Sequence, residues 1–114
     1  MGLNVKQARF TYTMAKFLVW CHENGFIVFG AELFRTPEQA ELYAERGIGI
    51  KNSVHTKKLA LDIFRLKDGV LTWEKEDYRA MGTKWKMMDA DARWGGDFRR
   101  RDAVHFSFEH NGVK

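Results

Sequence analysis

Apolar residues recur at helical spacing between Asn4 and His22, where Val5, Ala8, Met14, Phe17, Leu18 and Cys21 mark the pattern. The spacing predicts a helix with Asn4 as N-cap and a stop at Gly25. The run FIVFGAELF is rich in strand formers, and Gly30 inside it marks a bulge or a close approach. In RTPEQAELYAERG, Thr36 fits an N-cap, Pro37 a first helical position and Gln39 a capping-box partner, so a short helix ending near Gly47 is expected. LALDIFRL then reads as a strand, KDG as a tight turn and VLTW as its hairpin partner. EKEDYRAMGTKWKMMD is a helix interrupted at Gly82, RWGGDFRRR a loop, and AVHFSFEH an alternating last strand. The order α-β-α-β-β-α-β predicts an α+β fold: a small antiparallel β-sheet flanked by helices, in one domain over residues 1–114.

Asp62 disturbs this pattern. It is the one carboxylate in the apolar stretch from Leu59 to Phe64, and burying it requires a compensating charge. That charge is either a basic side chain such as Arg65 or a metal ion. His55 lies at a loop end seven residues earlier, and His105 lies in the last strand with Asp102 three residues before it. Imidazoles and a carboxylate suit a divalent zinc ion, whose catalytic sites use three protein ligands and keep a fourth position for water. A carboxylate near that position takes a proton from the water, and Asp102 is the candidate. Each histidine taken alone is more often structural than ligating, so the surroundings of the pattern decide.

Composition narrows the field. The chain has 114 residues, a net charge of +4, one cysteine and four histidines. A Cys-rich zinc finger and an internal disulfide are thereby excluded, and Cys21 is expected as a buried, inert thiol. No apolar run is long enough to span a bilayer, and the N-terminal residues lack the pattern of a secretory signal. The positive charge favours anionic partners without selecting one. DADAR, from Asp89, lacks the glycine and distal glutamate of a calcium loop. Asp97 either holds a ligand's second ring N–H or caps a turn, and His22 and His110 are expected at the surface.

Four segments together resemble one family. SVHTKKLALDI is similar to the Ser-x-His-x-x-x-x-Ala-x-Asp motif of the zinc peptidases that include D-alanyl-D-alanine carboxypeptidases and L-alanyl-D-glutamate peptidases. DAVHF resembles their second motif, an acid, two variable positions, then His and an aromatic residue. FRTPEQAELYAERG is similar to their arginine-bearing segment, and RWGGDF resembles a segment of the short phage peptidase-type endolysins. The resemblance covers Glu32 to Glu109. It implies zinc ligands His55, Asp62 and His105 at the sheet, and Asp102 as general base. It also implies that Arg35 binds a substrate carboxylate or the oxyanion, with Ser53 contacting substrate or fixing the loop by a turn hydrogen bond. Two positions depart from the pattern: Lys58 replaces a common glycine, and Asp102 stands where many members carry glutamate.

The resemblance therefore implies a zinc-dependent peptidoglycan peptidase, an L-alanyl-D-glutamate endopeptidase of the endolysin type, with D-alanyl-D-alanine carboxypeptidase as the alternative. The stem peptide is its expected partner and Zn²⁺ its cofactor. A monomer held in the cytoplasm is expected, reaching the wall through a membrane-permeabilising, holin-like partner. A non-enzymatic nucleic-acid-binding domain is the competing class, resting on the charge, on Arg99 to Arg101 and on the aromatics. The absence of a recognised nucleic-acid motif, and the core-like placement of most aromatics, count against it.

Overall fold

The structure is a computed structural model that describes residues 2–32 and 57–114. The predicted helix at Thr36, together with Arg35, Ser53 and His55, lies outside the described residues. Helix α1 spans Leu3–Glu23 and is followed by β1 (Ile27–Glu32). Strands β2 (Ala60–Lys67) and β3 (Val70–Thr72) form a hairpin, and helix α2 spans Lys75–Met88. Strand β4 (Ala92–Trp94), a 3-10 turn (Gly95–Asp97) and β5 (His105–Phe108) complete the described order. All pairings are antiparallel, in the order β1-β2-β5-β4. One edge of β2 carries β1, while the other is shared by β5 at its start and β3 at its end. The α+β arrangement expected from the pattern is the one observed.

Local chemistry sets several boundaries. Helix α1 starts two residues early, with Gly2 rather than Asn4 at the N-cap and no side-chain cap. Its end is a Schellman motif: Phe26 N–H donates to Cys21 O at 2.9 Å, Gly25 N–H donates to His22 O at 3.2 Å, and Gly25 has φ +81°. Asp68 and Gly69 both have positive φ (53° and 78°), as a two-residue type I′ hairpin turn demands. Gly30 is both bulge and close approach. The β1–β2 register shifts between Gly30 and Glu32, and a Cβ on Gly30 would lie 3.2 Å from a Leu61 methyl.

Two expectations need correction. Gly82 does not interrupt α2; it clears space for the Trp94 indole, which would lie 2.1 Å from a Cβ there. RWGGDF is not wholly loop, because Ala92–Trp94 is a strand. Three residues are too few for alternation to register.

The core forms where the helices meet one face of the sheet. Phe106 packs on Phe17 (centroids 5.2 Å), and Phe108 packs on Phe10 (5.2 Å). Trp85, fully buried, touches Phe10, Phe17, Phe106 and Phe108. Its indole N–H donates to Arg93 O (3.0 Å) and Ser107 O (3.1 Å), so α2 is tied to β4 and β5 without an unmet polar group. Burial of a tryptophan of this kind stabilises by roughly 4–6 kcal/mol of transfer free energy. Cys21 is buried as expected, and burial pushes its thiol up to about 12.

Candidate metal centre

Phe106 and Phe108 point towards the helices, so strand alternation turns His105 and Ser107 to the opposite face. Asp62 and His105 are directly opposed across the β2–β5 ladder. Opposed residues share a face, with Cβ atoms about 4.5–5.5 Å apart. The two side chains accordingly meet, with His105 Nδ1 3.7 Å from Asp62 Oδ1. Both are largely buried, with side-chain exposures of 8% for His105 and 16% for Asp62.

Asp102 arrives through a turn fixed at both ends. Its N–H donates to Gly95 O at 2.9 Å, and its carbonyl accepts from His105 N–H at 3.0 Å. Ligand atoms of Asp62, Asp102 and His105 all lie within 4.8 Å of one another. Two ligands at about 2.1 Å in tetrahedral geometry stand about 3.4 Å apart, so the His105–Asp62 spacing matches a shared ion and small rotations would bring in the third group. Two carboxylates at this range repel by about 3–4 kcal/mol in a medium of effective dielectric 20. A dication offsets that repulsion, and the donor set of imidazole and carboxylates fits zinc. Asp102 differs from the other two in being solvent-exposed. Asp62 and His105 are less accessible to water than Asp102.

The surrounding side chains settle several sequence readings. Arg65 does not compensate Asp62. It belongs to the helix face, where its guanidinium lies over Phe26 and donates to Asp77 O. Asp97 accepts from Lys86 Nζ at 2.7 Å, an ion pair rather than a support for a histidine ring. Asp89 and Asp91 of DADAR are ion-paired to Arg9, which pins α1 to the α2–β4 connection. Arg99, Arg100 and Arg101 are exposed, as is His22, whereas His110 is half-buried and bridges to Val113 through the backbone. Of the Trp94–Gly96 segment, Gly95 abuts the site, while Trp94 shares the helix face with Phe106 and packs on Gly82. The Trp94 indole N–H donates to Ala103 O at 2.8 Å, and a Cβ on Gly95 would meet Asp102 O and His105 Cβ. Phe98, not singled out from sequence, stands beside the His105 ring with centroids 5.4 Å apart. Its only sequence signal was its place at the end of RWGGDF.

Residues 47–108, more than half of the chain, match the family model described as D-alanyl-D-alanine carboxypeptidase. The chain belongs to this family of metallopeptidases. The family match takes in Ser53, His55, Asp62, Asp102 and His105 and leaves Arg35 outside. Among solved structures the peptidase is similar to the L-Ala D-Glu endopeptidase ChiX of Serratia marcescens, with a TM-score of 0.64 and 20% identity over 74% of this chain and 68% of that one. That likeness is one of fold. No curated protein matches the peptidase significantly. Among the described residues, no helix is long and apolar enough to cross a membrane.

Proposed function

We propose that the chain is a zinc-dependent peptidoglycan peptidase that hydrolyses the stem peptide between L-alanine and D-glutamate, in the manner of a phage endolysin. The observation that carries this reading is the convergence of half-buried Asp62, buried His105 and exposed Asp102. His55, Asp62 and His105 would hold the ion. When bound, zinc supplies Lewis acidity at the scissile carbonyl and lowers the pKa of water towards about 7. Asp102 accepts the proton of the attacking water and returns it to the departing amine nitrogen. Arg35 holds a substrate carboxylate or the developing oxyanion through its guanidinium fork, and Ser53 orders the loop bearing His55 or touches substrate.

The fold likeness to an L-Ala D-Glu endopeptidase supports the choice of bond. The family's printed description supports a second reading, removal of a terminal D-alanine. Mass spectrometry of digested muropeptides separates the two. New N-terminal D-glutamate is the expected product; free D-alanine with an intact L-Ala–D-Glu bond would replace the first reading by the second. Elemental analysis should find one zinc per chain, and loss of both zinc and lysis is expected in His55→Ala. As an endolysin the protein would lyse cells from within only when co-expressed with a membrane-permeabilising partner. Lysis without one would remove that part of the proposal.

A further inference from the structure

The strand register that brings Asp62 to His105 continues along β2 into an apolar shelf. Phe64, two residues after Asp62, emerges on the same face. Phe29 is paired with Phe64, Ile27 with Leu66, and Leu66 with Leu71, so these side chains share that face as well. The rings of Phe29 and Phe64 stack at 5.4 Å with planes 24° apart, and Trp73 stands edge-on to Phe64 at 5.1 Å. Four members are exposed: Trp73 64%, Ile27 55%, Phe29 46% and Leu71 37%. Most of the described aromatics do serve the core, as expected, while Phe29 and Trp73 stand outside it. A contiguous exposed apolar surface of this kind marks a binding site.

Three occupants compete. A stable protein interface uses roughly 20–30 residues a side, far more than this shelf provides, which argues against a second copy. An anionic lipid surface is opposed by Asp62 and Asp102, the acids at the catalytic end of the same face. The remaining occupant is continuous with the catalytic side: the polymer to which the scissile peptide is attached. Pyranose rings present C–H faces that pack on aromatic rings.

Spacing favours the same choice. Two strand residues separate Phe64 from Asp62, about 6.6–6.8 Å. The scissile carbonyl of an L-Ala–D-Glu bond is two chain units from the muramic sugar, alanine and the lactyl group, or about 7 Å when extended. The D-Ala–D-Ala bond is five units away by the same count, roughly 17 Å, and would not place the sugar on Phe64.

Resting on the reading above, we propose that Phe29, Phe64 and Trp73 bind the amino-sugar backbone of the glycan strand and hold the first stem residue over Asp62 and His105. The enzyme would then select glycan-linked stem peptides over free ones.

The test compares Trp73→Ala and Phe29→Ala with wild type on two substrates, a free stem tetrapeptide and the same peptide on its disaccharide. The expected result is an approximately tenfold loss of kcat/KM, carried by KM, on the disaccharide substrate only, with Trp73→Tyr restoring most of it. Circular dichroism should show both variants folded, because the two side chains are exposed. Equal loss on both substrates, or none on either, overturns the proposal. A separate measurement titrates wild type with a peptide-free N-acetylglucosamine tetrasaccharide and follows the Trp73 indole N–H by NMR. A saturable shift in an otherwise inactive protein would keep the shelf and reject the peptidase reading. Cleavage with no shift and no substrate preference would do the reverse. Dimerisation, or binding to anionic vesicles, that is lost in Trp73→Ala would assign the shelf to another occupant and also overturn the proposal.

Discussion

Gly95 and Asp102 meet backbone to backbone, so that a methyl group on the glycine would lie 2.0 Å from the Asp102 carbonyl oxygen and 2.8 Å from His105 Cβ. The contact leaves no flexible side chain to yield. Asp102 N–H already donates to Gly95 O, and Asp102 O already accepts from His105 N–H. Gly95→Ala is therefore expected to cost about 1–3 kcal/mol of stability and to push Asp102 away from His105. Urea unfolding should show the first effect. The second should appear as a fall in peptidase activity at temperatures where the variant is fully folded. Wild-type activity in a folded Gly95→Ala variant would show that the turn does not set the position of Asp102.

Lys58 supplies the reason for a sequence departure. It stands where related peptidases often have glycine, and its φ is +55°. The position requires a left-handed backbone, which costs an L residue roughly 1–2 kcal/mol relative to glycine. Part of that gain is offset by the greater freedom of glycine in the unfolded chain. Lys58→Gly is expected to raise stability by about 0.5 kcal/mol, seen as a higher midpoint in urea with an unchanged slope. A lower midpoint would mean that the contacts of the lysine side chain outweigh the strain.

The sequence was legible where local chemistry and long-range packing agreed. Gly25 and the Asp68–Gly69 pair ended a helix and turned a hairpin because only their φ values allow it. Asp62 was conspicuous because burial of an acid is costly without a partner, and it does meet His105. Other features depend on tertiary packing that no window of sequence contains. Gly82 looked like a helix breaker, yet the Trp94 indole explains it. Ala92–Trp94 forms a strand only because β5 is there to pair with it. Asp97 belonged to no local pattern that named Lys86 as its partner. The aromatic shelf was missed because exposed and buried rings look alike in composition, and only the register of β1, β2 and β3 sorts them by face.

Cys21 sets an alkaline limit on stability. Its thiol is fully buried, and burial raises it from 9.0 to about 12. Above pH 9 the unfolded chain releases this proton while the folded chain keeps it. The unfolded state then binds fewer protons, so stability falls as pH rises. The contribution is complete below pH 9 and is lost progressively up to pH 12. Cys21→Ala is expected to flatten this limb while lowering stability at neutral pH by about 1–2 kcal/mol through the lost packing. Denaturation midpoints measured from pH 7 to pH 11 check both signs. A slope above pH 9 that persists unchanged in Cys21→Ala would assign the alkaline loss to other groups.

Asp102 and His105 should separate metal binding from proton transfer. Both have ligand atoms in the same group, so geometry alone permits either to coordinate the ion. Their burial differs: His105 is enclosed, and Asp102 faces solvent. An enclosed imidazole beside a carboxylate suits a permanent ligand, whereas an exposed carboxylate suits a group that exchanges protons with water. His105→Ala is therefore expected to lose bound zinc and all activity together. Asp102→Asn should keep wild-type zinc content while the catalytic rate falls by about 10²–10⁴-fold, the usual worth of a general base. Asp102→Glu should recover part of the rate, since the longer acid still reaches the same water. Zinc content measured by elemental analysis beside turnover on muropeptides distinguishes these roles. If Asp102→Asn lost its zinc as His105→Ala does, Asp102 would be a ligand, and the proton acceptor would have to be sought elsewhere on the open side of the ion.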